Sequence, residues 1–347
     1  MTPQINGHWR RFVSVFRAHE WWSYKLAPVL GSAYAAALFA DQPLISLWPL
    51  LVFILVALAI GAAYASVINN VCDREEDRIA GKPNYFIGRS RSFMALVLAA
   101  CIVPGLAAAA ALRSVPAALA LYIGNWLLFA AYSAAPLRLK RRGFWGILAM
   151  AVGESFVPQW FAVLLVAGET GAAIPSAWFL AVAVWSLALG MRSILWHQLL
   201  DLDNDHQAGV ETFAVGTSAG HLQKLGLWVA FPLEAVGLLG ILAGSANPIA
   251  WVLFAVYLVT EYLRNRYWAT GISIVGTGNG RSGRLFLFEY YDVFYPLGFL
   301  CLAAWANPIN LVVLGIHLLF YHQRLGWWAR DVWGLVRWEI PAELRKF

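Results

Sequence analysis

Two stretches of this chain set carboxylates at helical spacing. The first reads Asn69-Asn70-Val71-Cys72-Asp73-Arg74-Glu75-Glu76-Asp77-Arg78, and the second reads His197-Gln198-Leu199-Leu200-Asp201-Leu202-Asp203-Asn204-Asp205. Residues four apart in a helix stack on one face, so Asn69, Asp73 and Asp77 form one ladder and His197, Asp201 and Asp205 a second. Asp203 points off that face toward solvent. Carboxylates this close repel one another unless a cation sits among them. Hard oxygen ligands on a partly open site suit Mg²⁺, which keeps several waters and shares its shell with substrate phosphates. Two such ladders can hold two or more ions that clamp a diphosphate. Arg74, Arg78, Lys82, Arg138 and Lys140 lie close enough in sequence to neutralise further phosphate oxygens.

The elements that carry these ladders are apolar. Of 347 residues, 61% are hydrophobic and 13% charged, with a mean hydropathy of +0.63. Charges this sparse cannot cover a soluble protein of this size, so lipid is the solvent for most of the chain. The 18 Trp, 13 Tyr and 20 Phe suit interfacial belts and a wide apolar cavity. Cys72, Cys101 and Cys301 form neither a disulfide framework nor a metal spacing. The first twenty residues lack the apolar core of a cleavable signal and read as an amphipathic arm.

A bilayer core of about 30 Å takes about 20 apolar residues per helix. About ten segments qualify: 22–40, 47–69, 92–112, 115–134, 145–167, 176–198, 225–243, 247–264, 287–305 and 307–322, the last two divided at Asn307-Pro308. With the N-terminus in the cytoplasm, the cytoplasmic segments hold Arg10, Arg11 and Arg17, then Arg74, Arg78, Lys82, Arg89 and Arg91. They also hold Arg138, Lys140, Arg141 and Arg142, then Lys224, then Arg264, Arg266, Arg281 and Arg284, and the tail from Arg324. The opposite side keeps Arg113 alone, as the positive-inside rule requires. The +6 net charge is spread over membrane-flanking loops and does not gather into a nucleic-acid patch. The expected fold is an all-α polytopic bundle of about nine to ten spans, one domain over 1–347, with both ladders at cytoplasmic helix ends. No repeat or linker marks a second domain. Within the spans, Arg192 is costly unless it is functional or paired with an intramembrane acid, and Glu154 is either that partner or an acceptor-pocket group.

The motifs resemble those of the UbiA superfamily of intramembrane prenyltransferases. The family's N-D-x-x-D-x-x-x-D matches Asn69, Asn70, Asp73 and Asp77, with Asn70 where the family commonly has Asp, so one carboxylate is missing. Its D-x-x-x-D followed by Gly and Thr/Ser matches Asp201, Asp205, Gly209 and Thr212. Its Y-S-x-x-P-x-R-L-K matches Tyr132-Ser133-Ala134-Ala135-Pro136-Leu137-Arg138-Leu139-Lys140 throughout, and Gly143-Phe144-Trp145-Gly146 continues the likeness. The match spans roughly residues 17–220, leaving less diagnostic spans over 221–347, and the family more usually has nine spans. The Gly-Thr-Gly-Asn-Gly within 265–286 follows no strand and reads as a flexible cytoplasmic loop.

The resemblance implies a multi-pass enzyme, expected in a bacterial inner membrane with its site facing the cytoplasm. It implies Mg²⁺ held by Asn69, Asp73, Asp77, Asp201 and Asp205, an isoprenoid diphosphate donor, and ionisation of the allylic C–O bond before a small acceptor attacks C1. Asn69, Asn70, Arg74, Lys82, Tyr132, Arg138, Lys140, Arg192 and His197 are the expected diphosphate or acceptor contacts, with Arg17 and Lys25 behind them. An aromatic acid is the commonest acceptor in the family, and the basic residues favour an anionic one. A terpene cyclase, using the donor's own double bonds as acceptor, is the alternative. A cation-coupled transporter fits less well, since its charged sites lie at the midplane on broken, repeated helices.

Overall fold

The computed structural model describes residues 15–16, 21–40, 42–207, 213–276 and 285–344, without the side chains of Ser23, residues 203–207, Ala342 and Leu344. It is helical, and among the described residues the one β contact is an isolated bridge between Ser273 and Leu285. The main helices are α1 (Ala27–Ala37), α2 (Trp48–Ile79), α3 (Arg91–Ala111), α4 (Pro116–Ser133), α5 (Phe144–Ala151) and α6 (Val157–Thr170). They continue as α7 (Ser176–Gln207), α8 (Ala219–Leu225), α9 (Phe231–Gly244), α10 (Pro248–Trp268), α11 (Tyr295–Ala306) and α12 (Leu311–Gly334).

Among the described residues, six helical runs are long and apolar enough to cross a membrane: Leu44–Ile79, Arg91–Ser114, Pro116–Ser133, Phe144–Thr170, Ser176–Leu202 and Ala219–Gly244. The other predicted segments are helical but do not meet that measure. In α1 every residue is buried, because α6 and α11 pack around it. An apolar stretch reads alike whether lipid or protein surrounds it. α10 carries Glu261, Arg264 and Arg266 in its last turns, and α12 is kinked at Tyr321.

Local sequence sets the ends that matter. α2 runs unbroken through the first ladder and stops four residues past Glu75. There Gly81 takes φ +67°, Lys82 N–H donates to the Asp77 carbonyl at 2.8 Å and Gly81 N–H to that of Arg78 at 3.4 Å. This closes the helix with the two-bond cap that a left-handed glycine allows. Ser90 caps α3 through its hydroxyl. Between α4 and α5 the loop is held by Arg142, whose guanidinium donates to the carbonyls of Leu137 and Pro136.

Five π-helical turns occur among the described residues. Besides Gly226–Ala230 and Leu335–Glu339, they are Trp22–Leu26 before α1, Val152–Phe156 between α5 and α6, and Tyr290–Phe294 before α11. Such turns recur at functional sites because the extra residue re-aims side chains. The last three carry an ionisable residue from an apolar stretch, respectively Lys25, Glu154 and Asp292.

The broadest helix pairing joins α7 to α9. Gly237 makes it possible: a Cβ there would meet the Trp185 backbone N at 2.4 Å and Cα at 2.7 Å. Small residues let membrane helices approach this closely. Gly237→Ala is expected to push the helices apart and destabilise the fold by about 1–3 kcal/mol, read as a lower unfolding midpoint in detergent. An unchanged midpoint would contradict this close packing.

Candidate functional site

The first ladder is built as the spacing requires. Asn69, Asp73 and Asp77 sit on the continuous α2, and the loop after α4 bends over them. Arg138 adopts φ 40°, ψ 55°, a left-handed turn that brings the residues on either side of it back toward α2. Lys140 Nζ forms a close ion pair with Asp73 Oδ1 and donates to Asn69 Oδ1 at 3.2 Å. Arg138 Nη2 lies 3.2 Å from Asp73 Oδ1 and 2.6 Å from Glu76 Oε1, and Arg141 Nη2 lies 2.9 Å from Glu76 Oε2. Ser133 Oγ donates to Asn69 Oδ1 at 3.4 Å. The cluster is mostly sheltered, with Asp73 16%, Lys140 15% and Arg138 22% exposed.

Burial alone would lower the Arg138 pKa. Glu76 and Asp73, through hydrogen bonds and charge, raise it above the ordinary guanidinium value instead. Its Nε is nonetheless buried without a hydrogen-bond partner, a donor left over for another anionic oxygen. Asp77 accepts from Asn84 Nδ2 at 2.7 Å, and the same amide nitrogen donates to the Asn70 carbonyl at 2.8 Å. Asn84 thus ties the loop after α2 back onto the ladder.

Other predicted contacts fall elsewhere. Asn70 Nδ2 reaches the Val15 carbonyl at 3.5 Å. Arg74 Nη1 points to Met94 Sδ on α3 at 3.4 Å, and Arg78 pairs with Glu75 at the surface. Lys82 is exposed and its backbone amide serves the α2 cap. Tyr132 is half-buried beside Ser133.

The second ladder lies at the far end of α7. His197 and Asp201 are exposed on it. The Asp205 side chain, Gly209, Thr212 and Arg17 lie outside the described residues. A small core of Ile147, Leu195, Leu199, Ala214 and Leu222 holds this end of α7 against α5, and Gln198 Oε1 accepts from Ala214 N–H at 3.2 Å. The basic loop therefore leads directly into the helix that packs on α7, while no described ion pair joins Asp201 to Asp73.

Arg192 requires correction as a diphosphate or acceptor contact, and so does its suggested pairing with Glu154. It is fully buried, with Nε and Nη2 donating to Glu234 at 2.6 and 2.5 Å. Its remaining reach goes to the carbonyls of Ile274 at 3.0 Å and Phe286 at 2.9 Å. Phe231 and Phe288 flank the guanidinium at 5.6 and 4.7 Å. Tyr291 donates its hydroxyl to Glu234 at 2.8 Å. A guanidinium so completely engaged is a packing clamp joining α7, α9 and the segment before α11. Glu154 pairs instead with Lys25 at 2.5 Å. Sequence reasoning did not single out Glu234, Asn84, Ser133 or Glu76 for a role. The one signal among them was that Glu234, like Arg192, is a charge inside an apolar run.

The donors around Asp73 fit a divalent cation shared with a ligand better than a cage made by protein alone. They are hard oxygens from Asn69, Asp73 and Asp77, and the orphaned Arg138 Nε calls for an anion beside them. Among the described residues, no three His, Cys, Asp or Glu side chains converge on one point.

An apolar helical bundle with a sheltered acid–base cluster at a helix end defines an integral membrane protein with a polar cluster at the end of α2. The model of the UbiA prenyltransferase family matches residues 29–273, and the chain belongs to that family. Its fold is similar to solved structures of a UbiA homolog from Archaeoglobus fulgidus. One, bound to DMAPP and Mg²⁺, is 17% identical with a TM-score of 0.55, covering 85% of this chain and 99% of that one. A second, bound to GPP and Mg²⁺, is 17% identical with a TM-score of 0.54 over 85% and 99%. A third, bound to Cd²⁺, is 19% identical with a TM-score of 0.53 over 83% and 98%. No curated protein sequence matches the chain.

Proposed function

We propose that this protein is a Mg²⁺-dependent prenyltransferase that moves a prenyl group from an isoprenoid diphosphate to a small acceptor within the membrane. The observation that carries the reading is the sheltered cluster of Asn69, Asp73, Arg138 and Lys140 at the end of α2. Family membership and the DMAPP- and GPP-bound homologs support it. Asp73, Asp77, Asp201 and Asp205, with Asn69, would hold Mg²⁺, which when bound supplies charge to stabilise a leaving diphosphate. Lys140 and Arg138, released from Asp73, bind diphosphate oxygens, and the Arg138 Nε gains its missing partner. Tyr132 stands beside this cluster as a further contact. Lys82 and Arg74, on the same end of α2, would add positive charge that draws an anionic headgroup inward, and His197 would be a further contact from α7.

We further propose a single domain of nine to ten spans in a bacterial inner membrane; the basic residues that flank one set of helix ends support a cytoplasmic N-terminus and a site facing the cytoplasm. Lys140→Met is expected to weaken geranyl diphosphate binding about tenfold or more, read by titration of the lipid-reconstituted protein. Equal affinity would remove Lys140 from the donor site.

A cyclase is the second reading, favoured by one feature. Tyr64 and Trp126 stack at 4.3 Å one to two turns below Asn69, with Tyr122 and Phe161 behind them, and aromatic faces stabilise carbocations. Incubation with Mg²⁺ and geranyl or geranylgeranyl diphosphate alone separates the two. The transferase yields no cyclic product without an acceptor, and a cyclic hydrocarbon or alcohol formed under those conditions would establish the cyclase.

A further inference from the structure

α12 changes character at its kink. Before Tyr321 its exposed residues include Leu311, Ile316, Leu319 and Phe320, as suits a helix against hydrocarbon. After Tyr321 the chain runs on through the π-turn Leu335–Glu339 to a last short helix, Ile340–Leu344. All of this lies beyond residues 29–273, which the family's model matches. Buried and half-buried positions recur here at helical spacing, at Leu325, Trp328, Val332, Leu335 and Glu339. One face is therefore packed inward.

That face takes every acid in the segment. The acidic side chains after Tyr321 are Asp331, Glu339 and Glu343, and each meets the last turns of α10. Asp331 pairs with Arg264 at 2.8 Å and Glu343 with Arg266 at 3.2 Å. Glu339 accepts from Trp268 Nε1 at 3.1 Å.

The outward face keeps the opposite set. Trp327, Arg330, Trp333, Val336, Arg337 and Trp338 are exposed. Trp333 is 60% and Trp338 63% exposed, where Leu335 between them is 1%. The Arg337 guanidinium lies 5.4 and 5.1 Å from the centres of those two rings. The π-turn broadens the face, because Val336, Arg337 and Trp338 are exposed in succession. Three tryptophan rings on one surface are poorly placed in water, and two guanidinium groups are costly in hydrocarbon. The headgroup layer suits both, since it holds an aromatic ring at its apolar edge and a cation among phosphates. The contacts with α10 set the segment at that level, beside the charged end of a helix that is otherwise largely apolar.

We propose that this face binds anionic phospholipid headgroups of the surrounding bilayer. Arg330 and Arg337 pair with lipid phosphates, and Trp333 and Trp338 seat at the boundary with the acyl chains. The sorting of charge selects this partner. With its acids turned to α10, the segment presents two positive charges and no negative one outward, and each base is drawn to an anionic surface. Arg–phosphate pairing adds directional hydrogen bonds to that attraction. The inference is independent of the reaction.

The test places a fluorophore on Val336→Cys in the full-length protein, with Cys72, Cys101 and Cys301 replaced by Ala. The protein is held in phosphatidylcholine nanodiscs that carry a dilute nitroxide quencher, attached either to phosphatidylglycerol or to phosphatidylcholine. The ratio of the two quenching efficiencies reports which lipid gathers at the face and does not depend on the fraction of protein labelled. Phosphatidylglycerol is expected to gather at least about fivefold over phosphatidylcholine. Arg330→Gln with Arg337→Gln is expected to bring the ratio near one. Arg330→Lys with Arg337→Lys, which keeps the charge, and Arg113→Gln, which removes an exposed charge elsewhere, are expected to retain the preference. Equal quenching by both lipids in the parent protein, or a ratio unchanged in the Gln pair, would overturn the proposal. So would a label that aqueous iodide quenches and neither lipid does, which would put the face in water. A label sheltered from iodide and from both lipids would mean that protein covers the face, a second copy included, and would overturn it as well.

Discussion

Asp73→Ala is expected to lower Mg²⁺-dependent diphosphate release from geranyl diphosphate by about 10²–10³-fold, the cost of losing one preorganised charge-stabilising group. Asp73 is the hub of the cluster: Lys140 and Arg138 both converge on its Oδ1. Its removal takes away a cation ligand and the anchor that holds two bases in place. The fold should survive, because Glu76 still engages Arg138 and Arg141 and the site is at a helix end. Glu75→Ala is the matched control. Glu75 is on the exposed side of the same turn and pairs, among the described residues, with Arg78, so its loss should change release less than about twofold. Equal effects of the two variants would show that net charge at the end of α2, and not the ladder, controls the reaction.

The second large effect is on stability. Glu234→Ala strips the buried Arg192 of two hydrogen bonds and Tyr291 of its acceptor. Removing one partner of a buried ion pair typically costs about 3–5 kcal/mol. The variant should elute as aggregate or unfold at a much lower temperature in mild detergent. Replacing both partners with apolar residues, Arg192→Met with Glu234→Leu, should restore most of the lost stability, since no unpaired charge then remains. A double variant as unstable as the single one would mean that the carbonyl contacts to Ile274 and Phe286 matter more than the pair.

Much of this was legible in the residues. Four-residue spacing located the first ladder on one face of α2, and the apolar runs located the six long described helices, although α2 continues ten residues past its expected end at 69, to Ile79, because the polar ladder stays helical. The basic loop after α4 was legible as a set of expected diphosphate or acceptor contacts, but not that Arg138 and Lys140 would pair with Asp73 of the ladder itself. What could not be read depends on depth and direction. Lys25, Glu154, Arg192 and Glu234 all lie in apolar stretches, and nothing in their order says which acid meets which base. Hydropathy does not distinguish α1, buried among helices, from a helix facing lipid. The π-turns leave no spacing signal, yet they aim Lys25, Glu154 and Asp292. Asn84 was hidden because its role is to bond a helix end that only the Gly81 cap brings within reach.

Metal-dependent donor use by both ladders is the central property expected of this protein. Purified protein in lipid nanodiscs, given geranyl diphosphate and an acceptor with and without Mg²⁺, should release diphosphate only with the metal, and Asp73→Ala and Asp201→Ala should each lower that release by about 10²-fold or more. Release that persists in both variants, or that proceeds equally after chelation of Mg²⁺, would contradict it.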